Sequence, residues 1–336
     1  MAMPETKSYR ATKSIANRIA DYRIAAAKAV DFQISYMRPD GCYIWDGYVH
    51  DAFHKQALSW SMTGRLAEAH RILDWIAANK LGADGRLEGY QGDVYKHAWF
   101  FQGALRLGRF EIADKVYKFL KSMQQPCGGS PHFEANRDKV LRALGTAWGG
   151  VGALYYNDRV MAVKAADWCL KVIEQQPRPD RFYFTTDASG KLLCGENDEN
   201  IDSTKLKQCY WEAGFMMILF AKLHMLTGDR KYLAATKKLL DFHLICREDN
   251  FAFWGSGKSA LGAAHYYAIT GDEQALECAL RFCDFVCDTQ RPNGGFFYED
   301  EPDEILIYVD HAACFSVWGT ESINIAAGRL HRENRI

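Results

Sequence analysis

The sequence predicts an all-α fold, an (α/α)6 toroid in which six helical hairpins form an inner and an outer ring. Amphipathic segments with one polar face alternate six times with segments that are apolar nearly all round, and short turns of similar sequence join them. A helix without a polar face has to be buried on all sides. Closure into a ring is therefore expected, because an open array leaves its terminal apolar faces uncovered.

The short turns follow the apolar segments and share one form. They are Thr63-Gly64-Arg65, Leu107-Gly108-Arg109, Asn157-Asp158-Arg159, Thr227-Gly228-Asp229 and Thr270-Gly271-Asp272. In each turn a Gly or Asn can take the left-handed conformation that ends a helix. Each turn is therefore predicted to join an inner helix to the next outer helix.

Hydrophobic spacing sets the helix boundaries. The outer helices are predicted at about 15–37, 66–79, 110–124, 159–175, 230–247 and 273–290. The inner helices are predicted at about 51–63, 93–107, 137–156, 205–226, 258–270 and 310–328. Together they make one domain over residues 1–336, with a short polar tail at residues 1–14.

Composition narrows the class of protein. Of 336 residues, 48% are hydrophobic and 25% charged, which is typical of a globular chain with a sizeable core. The formal net charge of −1 argues against a nucleic-acid partner. No stretch has the roughly 18 apolar residues of a membrane span, and no signal peptide is apparent. We expect a cytoplasmic monomer or homodimer.

The ten cysteines lie largely within apolar helical patterns and are expected to be free thiols rather than disulfides. No CxxC pair occurs, which disfavours a structural zinc site. The expectation is a protein without a metal or cofactor.

A recurring motif marks the ends of several outer helices. Phe119-Leu120-Lys121-Ser122-Met123-Gln124 precedes Gly128-Gly129, and Phe285-Val286-Cys287-Asp288-Thr289-Gln290 precedes Gly294-Gly295-Phe296; weaker copies occupy 32–41 and 75–85. These segments resemble the QW repeats of squalene-hopene cyclases. The chain thus resembles the terpenoid cyclase and protein prenyltransferase superfamily over nearly its whole length, and the resemblance implies the α/α toroid.

The catalytic signatures of that superfamily are missing. The chain has neither the DxDD motif of class II cyclases nor the DDxxD motif of class I terpene synthases. Asp310 and Cys314 are only loosely similar to the zinc ligands of prenyltransferases. The resemblance therefore implies an architecture and leaves the reaction open.

The long connections lead into the amino ends of the inner helices, so the binding pocket is expected at that rim. Large aromatic side chains concentrate on the inner helices and long loops, where they can stabilise a carbocation, stack on a sugar, or simply fill a wide barrel. The candidate substrate-binding residues are Trp45, Tyr48, Trp99, Trp148, Tyr210, Trp211, Trp254, His265, Tyr266, Phe315 and Trp318.

Three sets of Asp and His lie at the predicted starts of inner helices. They are Asp51 with His54, Asp93 with His97, and Asp310 with His311. At equivalent places in a ring, these sets are expected to converge on one pocket mouth as acid/base groups. The alternative is that the aspartates only cap their helices.

Two further acidic features invite a functional interpretation. Glu212, in an apolar inner helix, is either a general acid with a raised pKa or a carboxylate satisfied by a neighbouring helix. The acidic loop 194–202 suggests a divalent metal, but it lacks EF-hand spacing, and a solvated loop is preferred.

Three functions remain open. The first is a cyclase or isomerase of an isoprenoid-like or otherwise apolar small molecule, using Asp/His acid-base chemistry or shape-guided, including pericyclic, ring closure. The alternative is a carbohydrate-active glycosidase, lyase or epimerase, and the third is a non-catalytic binding toroid. Apolar inner segments such as 214–220 favour the first, because they offer few partners to sugar hydroxyls.

Overall fold

A computed structural model of the protein describes residues 13–43, 53–296 and 305–336, with the backbone alone for 305–307. The outer helices are α1 (Ile15–Ile34), α3 (Leu66–Asn79), α5 (Phe110–Met123), α7 (Arg159–Glu174), α9 (Arg230–Ile245) and α11 (Glu273–Thr289). The inner helices are α2 (Gln56–Met62), α4 (Val94–Arg106), α6 (Ala143–Tyr155), α8 (Trp211–Thr227), α10 (Gly257–Thr270) and α12 (Ile305–Arg332). The predicted (α/α)6 toroid is confirmed. Most of the predicted tail, residues 1–12, lies outside the described residues.

Contacts between helices close the ring. Each inner helix packs against two other inner helices, and α12 completes the circle by contacting α2. Each inner helix also packs on an outer helix, with α12 paired to α1. The amino ends of all six inner helices therefore meet at one end of the barrel.

The five short turns have the predicted conformation. Gly64, Gly108, Asn157, Gly228 and Gly271 all have φ between +63° and +85°. This left-handed backbone ends each inner helix and reverses the chain into the next outer helix.

The glutamine of the repeated motif ties neighbouring outer helices together. Gln124 Nε2 donates to the carbonyl oxygen of Gly128 at 3.1 Å and to that of Met161, on α7, at 2.9 Å. Gln290 Nε2 donates in the same way to Gly294 at 3.0 Å and to Ala25, on α1, at 2.8 Å. The second glutamine thus bridges the seam between the last and first outer helices.

The glycine of the motif permits this close approach. Gly128 has φ +99°, and a Cβ there would lie 2.1 Å from a backbone oxygen of α7. Gly294 has φ +90°, and its Cβ would lie 2.2 Å from a backbone oxygen of α1. Gly41 and Gly85 approach α3 and α5 in the same manner. A side chain at any of these positions would push two outer helices apart.

A buried ion pair also spans the seam. Arg18 on α1 donates to Asp284 on α11 at 2.7 Å, and both side chains are buried. The Tyr22 hydroxyl donates to the second carboxylate oxygen at 2.5 Å. Both charges are therefore satisfied, as a buried pair requires.

Two segments differ from the prediction because they form short paired strands: the residues just before α6 and the segment between α7 and α8. β1 (Val140–Arg142) pairs antiparallel with β3 (Thr185–Asp187), and β2 (Arg181–Tyr183) with β4 (Asn200–Asp202). Pairing of β1 makes α6 begin at Ala143 rather than near 137. The acidic loop 194–202 ends in β4, and the described part of the chain contains no group of three His, Cys, Asp or Glu residues placed to hold a metal.

Two other sequence features can be compared with the structure. The ten cysteines are free thiols, as predicted. In the described ranges no helix is long and apolar enough to cross a membrane.

The seam glycine gives a test of ring closure. Gly294→Ala should lower the free energy of unfolding by about 3 kcal/mol or more, because it adds a backbone clash to the left-handed strain. Gly108→Ala is the matched control, since Gly108 has φ +71° with nothing within 4 Å of its Cβ position, and should cost about 1 kcal/mol. Urea unfolding followed by circular dichroism measures both. Equal losses would contradict this account of the seam.

Candidate active site

A cavity of about 280 Å³ opens at the long-loop end of the barrel, at the amino ends of the inner helices. Every inner helix contributes a residue at or near its start, and the loop after α5 adds two more. The residues lining it are Lys55, Asp93, Tyr95, Lys96, His132, Phe133, Leu144, Trp211, Trp254, Lys258, Asp310, His311 and Cys314. The long loops and the positive ends of the helices thus surround one pocket.

Four aromatic rings close the barrel beneath this pocket, and we call them the aromatic plug. Trp99, Trp148 and Trp318 have ring centroids 4.9 to 5.5 Å apart, and Phe215 lies 5.1 Å from Trp148. They come from α4, α6, α12 and α8, so they meet on the barrel axis. Trp99, Trp148 and Trp318 were expected to line the pocket, but they lie beneath it and are not among its lining residues, because their rings pack on one another.

Two lysine ammonium groups lie above the plug. Lys55 Nζ donates to Asp310 at 2.5 Å and lies 5.8 Å from the ring centroid of Trp99. Lys258 Nζ lies 5.4 Å from the ring centroid of Trp318, and burial lowers the pKa of this amine. The electron-rich ring faces toward the pocket are thus already occupied by cations.

One side of the pocket is a stacked aromatic wall. The rings of Trp211 and Trp254 are 5.4 Å apart and inclined by 24°. Trp254 also stacks on His311, at 5.3 Å and 21°. The stack places apolar ring surface beside the charged groups of the pocket.

Asp93 pairs with a histidine that the sequence analysis missed. One carboxylate oxygen accepts the Lys96 backbone N–H at 3.1 Å and caps α4, while the other lies 3.4 Å from His132 Nε2. Asp93 is 2% exposed, whereas the His132 side chain is 24% exposed. The aspartate therefore both caps its helix and lies beside an imidazole at the pocket mouth.

The expected pairing of Asp93 with His97 does not occur through their side chains. His97 Nδ1 lies 2.6 Å from the backbone carbonyl oxygen of Asp93, and Nε2 accepts the Leu87 N–H at 2.9 Å. Its ring packs on Phe119 at 4.5 Å, and burial lowers its pKa to about 4. Both ring nitrogens of His97 therefore bond to backbone atoms, and the side chain does not line the pocket.

Glu212 is a carboxylate satisfied by neighbouring groups, which is the second of the two alternatives that the sequence left open. It accepts from Arg142 Nε and from the Leu144 N–H, both at 2.8 Å, and is fully buried. Burial raises the pKa of Glu212, and these hydrogen bonds oppose the shift. The carboxylate fixes the start of α6 and does not line the pocket.

The other candidates divide into two groups. Trp45, Tyr48 and Asp51 lie outside the described residues. The remaining candidates, none of which lines the pocket, are His54, Tyr210, His265, Tyr266 and Phe315.

Each residue of this second group packs elsewhere. The His54 ring contacts Tyr90 and Tyr95, both at 6.1 Å, and Tyr210 donates to Asp249 at 2.7 Å. Hydrophobic periodicity indicated which helices are inside but not which way each of these rings turns.

His265, Tyr266 and Phe315 are buried side chains of α10 and α12. Burial lowers the pKa of His265, and Phe315 packs edge-on against Phe296 at 4.5 Å. All three were proposed to bind substrate, and the described pocket lies elsewhere.

The structure brings Asp93, Asp310, His311, Trp211 and Trp254 together as proposed, and adds residues that the sequence analysis missed. The most notable additions are Lys55, His132 and Lys258. Lysines within or just before an apolar inner helix were the available signal for the first and third, because a charge there needs a reason.

No protein-family model matches this chain, and no curated protein matches it. Solved structures are similar to it in fold. An α-mannanase of glycoside hydrolase family 76 from Bacteroides thetaiotaomicron has a TM-score of 0.67 at 14% identity, covering 93% of this chain and 97% of that one.

Of two further similar structures, one is a second mannanase and the other is a terpene cyclase. An inactive α-1,6-mannanase variant of the same family from Salegentibacter, in complex with α-1,6-mannotetrose, has a TM-score of 0.63 at 15% identity, covering 90% and 98%. The type II terpene cyclase MstE from Scytonema, in complex with merosterolic acid A, has 0.61 at 11%, covering 93% and 99%. At these identities the likeness shows the fold alone.

Removing the charge of Lys258 should stabilise the free protein. Lys258→Met is expected to raise the free energy of unfolding by about 1–3 kcal/mol, because it removes a buried ammonium for which the described ranges provide no ion-pair partner. The gain should shrink as the pH rises toward the ordinary lysine pKa, since the parent amine then loses its proton in the folded state first.

Lys55→Met is the matched control. It should destabilise by about 2 kcal/mol, because it removes the cation that forms an ion pair with the largely buried Asp310. Chemical denaturation at several pH values measures both variants, and a loss of stability in Lys258→Met would refute the assignment of an unpaired charge.

Proposed function

We propose that this protein is a carbohydrate-active enzyme that holds one sugar ring in the pocket and works by proton transfer. The observation that carries the proposal is the composition of the pocket, in which seven of thirteen lining residues are Lys, Asp or His. Sugar hydroxyls need such partners when they leave water. The rings of Trp211 and Trp254 supply apolar surface at the pocket wall against which the C–H groups of a sugar pack.

The depth of the pocket supports a compact substrate. A cavity of about 150 Å³ accommodates benzene, so the described 280 Å³ suits a single hexose ring. The aromatic plug stops anything longer from entering the barrel. A geranylgeranyl-bearing substrate, such as the dihydroxybenzoate bound by the terpene cyclase MstE, exceeds this space.

The two lysine side chains above the plug also favour a carbohydrate substrate over an isoprenoid one. A cyclase that develops a carbocation needs free aromatic faces near the cation. Here Lys55 and Lys258 lie over those faces, so the rings are not free to stabilise a carbocation. A cyclase or isomerase of an apolar molecule is the second candidate. The composition of the inner helices favours it, and the aromatic plug lies directly beneath the pocket.

The proposed chemistry uses two carboxylates that line the same pocket, Asp93 at the start of α4 and Asp310 on α12. The Asp93–His132 pair at the mouth delivers a proton to the leaving oxygen of a glycosidic bond, and it recovers a proton from the water whose oxygen then bonds to the sugar carbon. Asp310, held as an ion pair by Lys55, stabilises positive charge developing at the sugar carbon. Glycoside hydrolases in general use a pair of carboxylates, one as acid and one beside the sugar carbon.

The test is turnover with two probe sets, α-1,6-mannotetraose plus nitrophenyl glycosides on one side and geranylgeranyl dihydroxybenzoate on the other. We expect a glycoside to be cleaved and the isoprenoid to be unchanged. Asp93→Asn should lower kcat/KM by about a hundred-fold or more with the melting temperature retained, because Asn still caps α4.

Asp158→Asn is the matched control, since Asp158 caps α7 by accepting the Met161 N–H, away from the pocket. Its kcat/KM should stay within about two-fold of the parent. Cyclisation of the isoprenoid without cleavage of any glycoside would refute the proposed function.

A further inference from the structure

Lys258 is a buried cation that has no partner among the described residues. It lies in the first turn of α10, lines the pocket and is 5% exposed. Its contacts are with rings: Nζ lies 5.4 Å from the centroid of Trp318 and 6.0 Å from that of Phe215. In the described part of the chain no hydrogen bond or ion pair reaches this amine.

The carboxylates near Lys258 are already engaged. Asp310 accepts from Lys55 at 2.5 Å, and Glu212 accepts from Arg142 and from the backbone of Leu144. Cation–ring contacts compensate only part of the cost of burying an ammonium group. The missing negative charge therefore has to come from a ligand, or the protein tolerates a standing loss of stability at this position.

The start of α10 adds a second unsatisfied feature. Ser256, the residue before this helix, makes no side-chain cap, and its buried hydroxyl has no hydrogen-bond partner. The first-turn N–H groups and the helix dipole thus add positive potential beside Lys258. This end of α10 is suited to an anion.

We propose that Lys258 binds a carboxylate of the substrate, so that the pocket takes an acidic sugar, a uronate or uronide. This inference rests on the proposed function and names its substrate class. One uncompensated ammonium above the plug matches one negative charge, since the charge of Lys55 is balanced by Asp310. With the carboxylate at the floor, the sugar ring lies against Trp254 and its glycosidic oxygen points toward Asp93 and His132 at the mouth.

The experiment measures binding of glucuronate, glucose and glucose 6-phosphate by calorimetry. We expect the parent to bind glucuronate at least ten-fold more tightly than glucose, and Lys258→Met to lose this preference with its affinity for glucose retained. The matched control is Lys118→Met, which removes an exposed lysine of α5 and should bind all three as the parent does.

The contrary outcomes separate the two proposals. Equal affinity for glucuronate and glucose, or a preference surviving in Lys258→Met, overturns the carboxylate assignment while sugar binding stands. Tighter binding of glucose 6-phosphate than of glucuronate overturns it in favour of a phosphate. If no sugar binds and geranylgeranyl dihydroxybenzoate does, the proposed function fails as well.

Discussion

The close approach of each motif glycine to the next outer helix is the constraint on which the rest of the structure depends. Gly128 and Gly294 place their backbone where a Cβ would collide with a neighbouring carbonyl oxygen. Gln124 and Gln290 then bridge the same gap with paired hydrogen bonds. Because Gly294 contacts α1, the spacing that repeats along the chain also closes it.

Closure determines where chemistry can occur. It gathers the amino ends of the inner helices at one rim, and the aromatic plug decides how deep a ligand can enter from there. Trp148 also lines a separate cavity of about 230 Å³ near the carboxyl ends of the inner helices, so the plug divides the barrel in two. The charged residues Asp93, Asp310 and Lys258 all lie on the rim side of this division.

Much of the fold could be predicted from the sequence, because amphipathic spacing and left-handed turn residues are local signals. The outer helices α3 and α5 end within a residue of their predicted bounds. The start of α6 could not be predicted, since it depends on pairing between β1 and β3 across more than forty residues. Local propensity does not report such pairing.

The site was predictable in location and less so in detail. Asp93 and Asp310 were found because a helix start in a ring points toward the shared rim. His97 was paired with Asp93 since residues four apart share a helix face, yet spacing does not say whether that face turns to the pocket. Lys258 was missed because a single lysine in an apolar helix belongs to no spacing motif. The cost of burying its charge is nevertheless a sign that the position has a role.

The most direct test of this account is a crystal structure of the protein soaked with glucuronate. We expect one sugar ring beside the Trp254 wall and above the aromatic plug, with Lys258 at its carboxylate and Asp93 within reach of its ring substituents. A ligand bound in the cavity beyond Trp148, or a channel running through the plug, would contradict the claim that the substrate binds in one pocket closed at its base by the plug.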